Sequence, residues 1–185
     1  MSKEISSKTI WNEASRAGVA LGLLCIACMV LSTLLAKVKG GVALNMAVSV
    51  GAFVIWAVKF TGCIALMKKA MERFVSAYPG ADNRDSYRLG VTTALLSALI
   101  VAAGSLANYM FLAPAETAAA IDVVMQQYST SLDSNTMKSL EAVMDNFPTI
   151  SFFSNLIYCF IYGWILSAIL SRRIPSSNPF SNPNA

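Results

Sequence analysis

The chain of 185 residues contains no histidine. That removes the commonest metal ligand and the default general base near neutral pH. Charge is scarce as well. Only 13% of residues are Asp, Glu, Lys or Arg, against ~25% in an average soluble domain, while 56% are apolar. The apolar residues come in blocks, which excludes a large soluble core and points to a membrane bundle. The four cysteines, Cys25, Cys28, Cys63 and Cys159, all fall inside apolar blocks, so a disulfide framework of loops is excluded. No acid lies inside any of those blocks, and proton-coupled export normally needs a membrane carboxylate.

What is present is four long apolar runs, at about 17–36, 42–67, 89–112 and 149–170. Each meets the ~20 residues needed to cross ~30 Å of hydrocarbon as a helix. A helix is the open segment that satisfies its own backbone in lipid. The first run is too long for a signal-peptide core of ~7–15 residues and lacks a small-x-small cleavage site after it, so it reads as a retained span. The expected fold is all-α: a four-helix transmembrane bundle with an extracytoplasmic amphipathic helical hairpin between helices three and four. Residues 1–174 form one membrane domain, and the Pro-, Ser- and Asn-rich segment 175–185 reads as a disordered cytoplasmic tail.

Loop charge sets the expected threading. Lys3, Lys8, Arg16, Lys68, Lys69, Arg73, Arg84, Arg88, Arg172 and Arg173 gather on one side; Lys37, Lys39 and Lys138 fall on the other. Both termini are therefore expected in the cytoplasm. The basic residues follow topology, so nucleic acid is not an expected partner; the lipid bilayer is, with a protein partner or a second copy possible. Between spans three and four lies the hairpin, 113–148. Ile121, Val124, Met125 and Tyr128 recur at helical spacing, "STSLDSN" interrupts, and Met137, Leu140, Met144 and Phe147 share a second face. Those faces either pack together or lie on the outer leaflet.

Within the spans, the outstanding residue is Lys59. It lies about 7 Å past the middle of Val42–Met67 at ~1.5 Å per residue, and about 8 Å from the edge of a ~30 Å core. Three readings stand. The side chain can snorkel to the headgroups; the span can stop near Val58; or Lys59 can face the bundle interior among polar partners. Counting equal depth from the same ends gives Cys25, Ser97 and Tyr162 as its neighbours. Asn45, Asn108 and Asn155 fall in the outer third of their spans. The expected polar site is thus an inner Lys59–Tyr162 layer with Ser97, and an outer layer of Asn45, Asn108 and Asn155. Each asparagine alone also reads as packing glue. Gly18 with Gly22, Ala94 with Ala98 and Ala102, and Gly163 with Ser167 and Ser171 form small-residue rows suited to close helix contact.

"CIAC", Cys25–Cys28, suggests thiol redox chemistry, but a relay would need a second accessible cysteine pair, and the hairpin has none. The thiols are too few and too poorly assisted for zinc. No catalytic residue, cofactor or metal is expected. Two functions remain: a non-enzymatic accessory or scaffold subunit of a membrane complex, or a small carrier or lipid- or anion-binding protein that uses Lys59.

One resemblance covers nearly the whole chain. "KTIWNEASRAGVALG" leads into span one, "DNRDSYRLG" into span three, "NYMFLAP" closes span three, and a helical hairpin ends at "FPT" before span four. This arrangement resembles a family of small four-helix inner-membrane proteins, domain of unknown function 4199, found mainly in Bacteroidota-type bacteria. The resemblance implies a bacterial inner-membrane address and carries over no catalytic residues.

Overall fold

The computed structural model describes residues 5–38, 40–129 and 133–174. The segment expected as a disordered tail, 175–185, lies outside them, as does Lys39. Among the described residues the chain is all helix and loop. The helices are α1 (Ser7–Ala36), α2 (Val42–Ala77), α3 (Asn83–Ala107), α4 (Pro114–Ser129), α5 (Ser134–Asp145) and α6 (Phe147–Arg173). A π-helical turn, Asn108–Leu112, extends α3. Four of these helices, with α3 counted through Leu112, are long and apolar enough to cross a bilayer, which marks a multi-pass membrane protein.

Each long helix overruns the apolar run that predicted it. Charge ends an apolar run, but it does not end helical hydrogen bonding. Side-chain caps mark the starts of α1 and α3. Ser6 Oγ accepts from the Lys8 amide at 3.3 Å, and an Asp82 carboxylate oxygen accepts from the Asp85 amide at 2.8 Å. "KKAMERF" stays in α2, which ends at Ala77 with Tyr78 as its cap, just before Pro79. Gly80 then takes φ +112°, a left-handed conformation that only glycine adopts freely, and reverses the chain.

Small residues set the helix pairing. A methyl at Gly18 would stand 2.9 Å from Leu96 Cβ, and one at Gly22 would stand 2.8 Å from Ile100 Cβ, so α1 and α3 run parallel in close contact. Gly90 faces Ser167 and Gly163 faces Ala94, so α3 and α6 run antiparallel. Gly62 meets Leu24 and Gly51 meets Leu35, which makes α1 and α2 antiparallel. Helix α3 is therefore central. In its most apolar stretch 50% of residues are buried, against 22% in α1, 17% in α6 and 11% in α2. Ala94, Ala98 and Ala102 lie along its buried faces.

Helix α2 packs chiefly through its second half. Its buried residues begin at Cys63 and continue through Met67, Met71, Phe74 and Val75. One face of its first half is bare: Val42, Met46, Val50 and Phe53 are all more than three-fifths exposed. In water such a flank would aggregate; in a bilayer, lipid chains cover it.

The antiparallel order gathers the ends richest in Lys and Arg at one end of the bundle. At the opposite end, Lys37 ties α1 to the π turn. Its ammonium donates to the Leu112 carbonyl at 2.8 Å and pairs with Glu116 at 3.5 Å. Helices α4 and α5 follow there. Ile121 and Val124 of α4, with Met144 of α5 and Phe147 of α6, line an apolar hollow against Thr33 and Tyr109.

Candidate functional site

A cavity of about 180 Å³ opens between α2 and α6, with α1 and α3 as its back wall. Helical spacing explains how each wall forms. On α2, Trp56, Lys59, Phe60 and Cys63 stand at i, i+3, i+4 and i+7 and so share one face. On α6, Tyr158 and Tyr162 are one turn apart, with Cys159 beside them. Helix α1 supplies Cys25, and α3 supplies Ser97.

Lys59, Ser97 and Tyr162, matched in depth by counting along the chain, all line this cavity. Lys59 is half-buried, and among the described residues no carboxylate pairs with it. The Tyr162 hydroxyl is buried and makes no hydrogen bond. Its ring lies 5.9 Å from that of Phe60, which continues a row through Trp56 to Phe53 at 5.7 and 5.9 Å. Such spacings are those of ordinary aromatic contact. The rim is open on the flank of the bundle: Trp56 is 59% and Tyr158 72% exposed.

The three asparagines do not form one layer. Asn155 Nδ2 donates to Ser105 Oγ at 3.0 Å and to the Ser151 carbonyl at 2.9 Å, joining α6 to α3. Asn108 Oδ1 accepts from Thr33 Oγ1 at 3.2 Å, joining the π turn to α1. Asn45 is exposed on the first half of α2. Equal depth cannot bring it in, because α2 turns that side away from the bundle.

Sequence reasoning missed one pairing. Cys25 Sγ lies 3.4 Å from Cys63 Sγ, across α1 and α2, and both thiols line the cavity. The adjacent "CIAC" partner of Cys25, Cys28, is buried elsewhere. A signal was present: Cys25 shares the depth of Lys59, and Cys63 is one turn from it.

The chemistry on offer is recognition. Aromatic and aliphatic walls suit an apolar body, and a few convergent polar groups fix its orientation. The Lys59 ammonium gives the cavity a positive charge, which suits an anion or a strong acceptor and opposes a metal cation. Among the described residues no cluster of three His, Cys, Asp or Glu side chains is placed to hold a metal ion. No protein-family model, curated protein or solved structure matches this chain.

Proposed function

We propose that this protein binds a membrane amphiphile whose anionic or acceptor head sits at Lys59 and Tyr162 and whose tail leaves between α2 and α6. One observation carries the reading. The Lys59 ammonium, with no carboxylate partner among the described residues, lines a cavity walled by aromatic rings that opens on the flank of the bundle, and the Tyr162 hydroxyl is buried beside it. Leaving such groups unpaired in hydrocarbon costs free energy that a ligand's acceptor recovers.

The protein belongs on this reading to the bacterial inner membrane, with both termini cytoplasmic, and to the domain-of-unknown-function-4199 family. The charge asymmetry of its ends supports the orientation, and the motifs quoted above support the family. Helices α4 and α5 then stand outside, with Met137 and Leu140 toward the outer leaflet. Reporter fusions should place the amino and carboxyl ends on the cytoplasmic side; a periplasmic tail overturns the orientation.

Binding is tested in lipid nanodiscs with dansyl undecanoate as probe. A charge-assisted hydrogen bond is worth ~1.5–3 kcal/mol, so Lys59→Met should weaken the probe's affinity by about 10- to 100-fold. Wild-type affinity in Lys59→Met sinks the proposal.

A second reading, the accessory or scaffold subunit, draws on a different feature. The bare face of α2 presents Phe53, Trp56 and Phe60 as a continuous aromatic row, a face suited to a partner helix. A mild-detergent pull-down that returns the chain alone, with no partner at near-stoichiometric yield, counts against it.

A further inference from the structure

We propose that Cys25 and Cys63 form a redox-active dithiol that reduces a quinone seated in the cavity, recording the oxidation as a covalent tie between α1 and α2. The proposal rests on the amphiphile-binding reading and specifies the ligand class.

Three features of the site converge on it. The sulfurs are already in contact at 3.4 Å, about 1.4 Å beyond the ~2.0 Å of a disulfide bond. Both thiols face the cavity and are otherwise buried, so a reagent reaches them through that cavity. And the charge beside them is positive. Lys59, one turn from Cys63, opposes a soft metal cation but stabilises a thiolate and the oxyanion that builds on a reduced quinone.

The shape selects within the amphiphiles. About 180 Å³ is small beside the roughly 300–1,000 Å³ of a drug-sized pocket. The cavity holds one ring-sized head, and its aromatic walls rather than its volume favour a flat ring over a phosphoglycerol head. Trp56, Phe60 and Tyr162 offer rings to stack on, and the Lys59 ammonium offers a donor to a quinone oxygen. The apolar tail of a membrane quinone leaves past Tyr158 into the lipid.

The step balances. The Cys25 and Cys63 S–H bonds break and one S–S bond forms, releasing two electrons and two protons. The quinone takes both electrons, and its two carbonyl oxygens take both protons, giving a hydroquinone. Lys59 lends a proton to the first oxygen and recovers one from the second thiol. This scheme needs no relay to another cysteine pair. The sequence raises three objections to "CIAC": the missing relay, the cost of a thiolate desolvated in mid-span, and the lack of an assisting histidine; Cys25 meets the first with its partner on α2, and the Lys59 charge offsets the other two.

The test uses the full chain, reduced, in nanodiscs, with decylubiquinone as oxidant. Its ring is fully substituted, so thiol loss reports oxidation rather than alkylation. After anaerobic incubation the protein is unfolded in detergent, free thiols are counted with a maleimide, hydroquinone is measured by absorbance, and crosslinked peptides are mapped. Two of the four thiols should disappear per hydroquinone formed, with the bond mapped to Cys25–Cys63. Cys28→Ala should behave as wild type, whereas Cys25→Ala and Cys63→Ala should form no hydroquinone. The wild-type peptide map decides the matter even if a variant misfolds. A bond mapped to Cys28 or Cys159 overturns the proposal. If decylubiquinone displaces dansyl undecanoate and all four thiols remain, the dithiol proposal falls and the amphiphile reading stands. If neither compound binds, both fall.

Discussion

Gly163 sits where α6 crosses the central helix, and Gly163→Ala tests whether close backbone approach holds the bundle together. A methyl there would stand 2.5 Å from Ala94 Cβ and 3.3 Å from Ala94 Cα. Carbon atoms pack at ~3.5–4.0 Å, so α3 and α6 must part by about 1 Å. Neither obstacle is a flexible side-chain tip that could swing aside. Two effects oppose each other. Overpacking costs ~1–3 kcal/mol, and replacing a mid-helix glycine by alanine returns up to ~1 kcal/mol of helix propensity. Because the clash is with a backbone-fixed methyl, the first wins, and the variant should lose about 1–2 kcal/mol. At ~2–4 °C per kcal/mol for a chain of this size, the melting temperature should fall by about 2–8 °C. The protein carries its own probe: Cys28 is buried and lies off the cavity, so in a variant that keeps Cys28 as its one thiol a thiol-reactive dye reports unfolding in detergent. Gly41→Ala is the control, since a methyl there meets nothing within 4 Å. Moving the methyl across the interface, Gly163→Ala with Ala94→Gly, should recover part of the loss as a positive coupling. Gly163→Ala melting with the wild type would refute the packing argument.

Two smaller effects follow from the polar contacts. Ser105→Ala removes the acceptor of the Asn155 amide and should cost ~0.6 kcal/mol, at most ~1.7, in the same melting assay; a loss above that range means Ser105 does more than hold α6. At the start of α5, the Thr136 hydroxyl bonds the Asp133 carboxylate, and this holds the Asp133 carboxyl below its ordinary value. A carboxyl depressed on folding contributes stability above its unfolded value and loses it as pH falls through the folded one. Amide exchange of α5 should therefore quicken only below roughly pH 4, and Asp133→Ala should remove that dependence.

The amount of this structure legible in the sequence differs from level to level. The four crossings are explicit, because a charge-free run of twenty residues has few alternatives. Relative depth was legible too: with spans alternating in direction and a fixed rise per residue, Lys59, Ser97 and Tyr162 align by counting, and all three line one cavity. Rotation about each helix axis was not. A helix that is apolar on every side gives no signal for which face turns inward, so Asn45 passed for an interior residue although α2 points it outward. The same gap hid the Cys25–Cys63 contact behind the adjacent Cys25–Cys28 pair. Nor does "NYMFL" announce its π turn, in which the Ala113 amide reaches the Asn108 carbonyl at 2.9 Å; the tertiary partners Thr33 and Lys37 hold that segment.

The two ends of the bundle treat polar groups in opposite ways, and the contrast bears on which of them await a ligand. Away from the basic end, Asn108 and Asn155 each find a hydroxyl on a neighbouring helix and so join helices. Nearer the basic end, three side-chain hydroxyls are buried without a partner among the described residues: Ser86, Thr93 and Tyr162. They are not equivalent. A serine or threonine hydroxyl on a helix lies within a rotation of its own carbonyl one turn back, and that bond is available at little cost. A tyrosine hydroxyl stands at the end of a rigid ring, beyond the reach of its own helix backbone. Its acceptor has to come from another helix or from a bound molecule. The helix across the cavity offers Phe60 and Lys59, a ring and a donor. The Tyr162 and Ser97 oxygens can both accept, yet among the described residues neither bonds the Lys59 ammonium, so the cavity, unlike the asparagines, keeps polar groups that an incoming acceptor would complete.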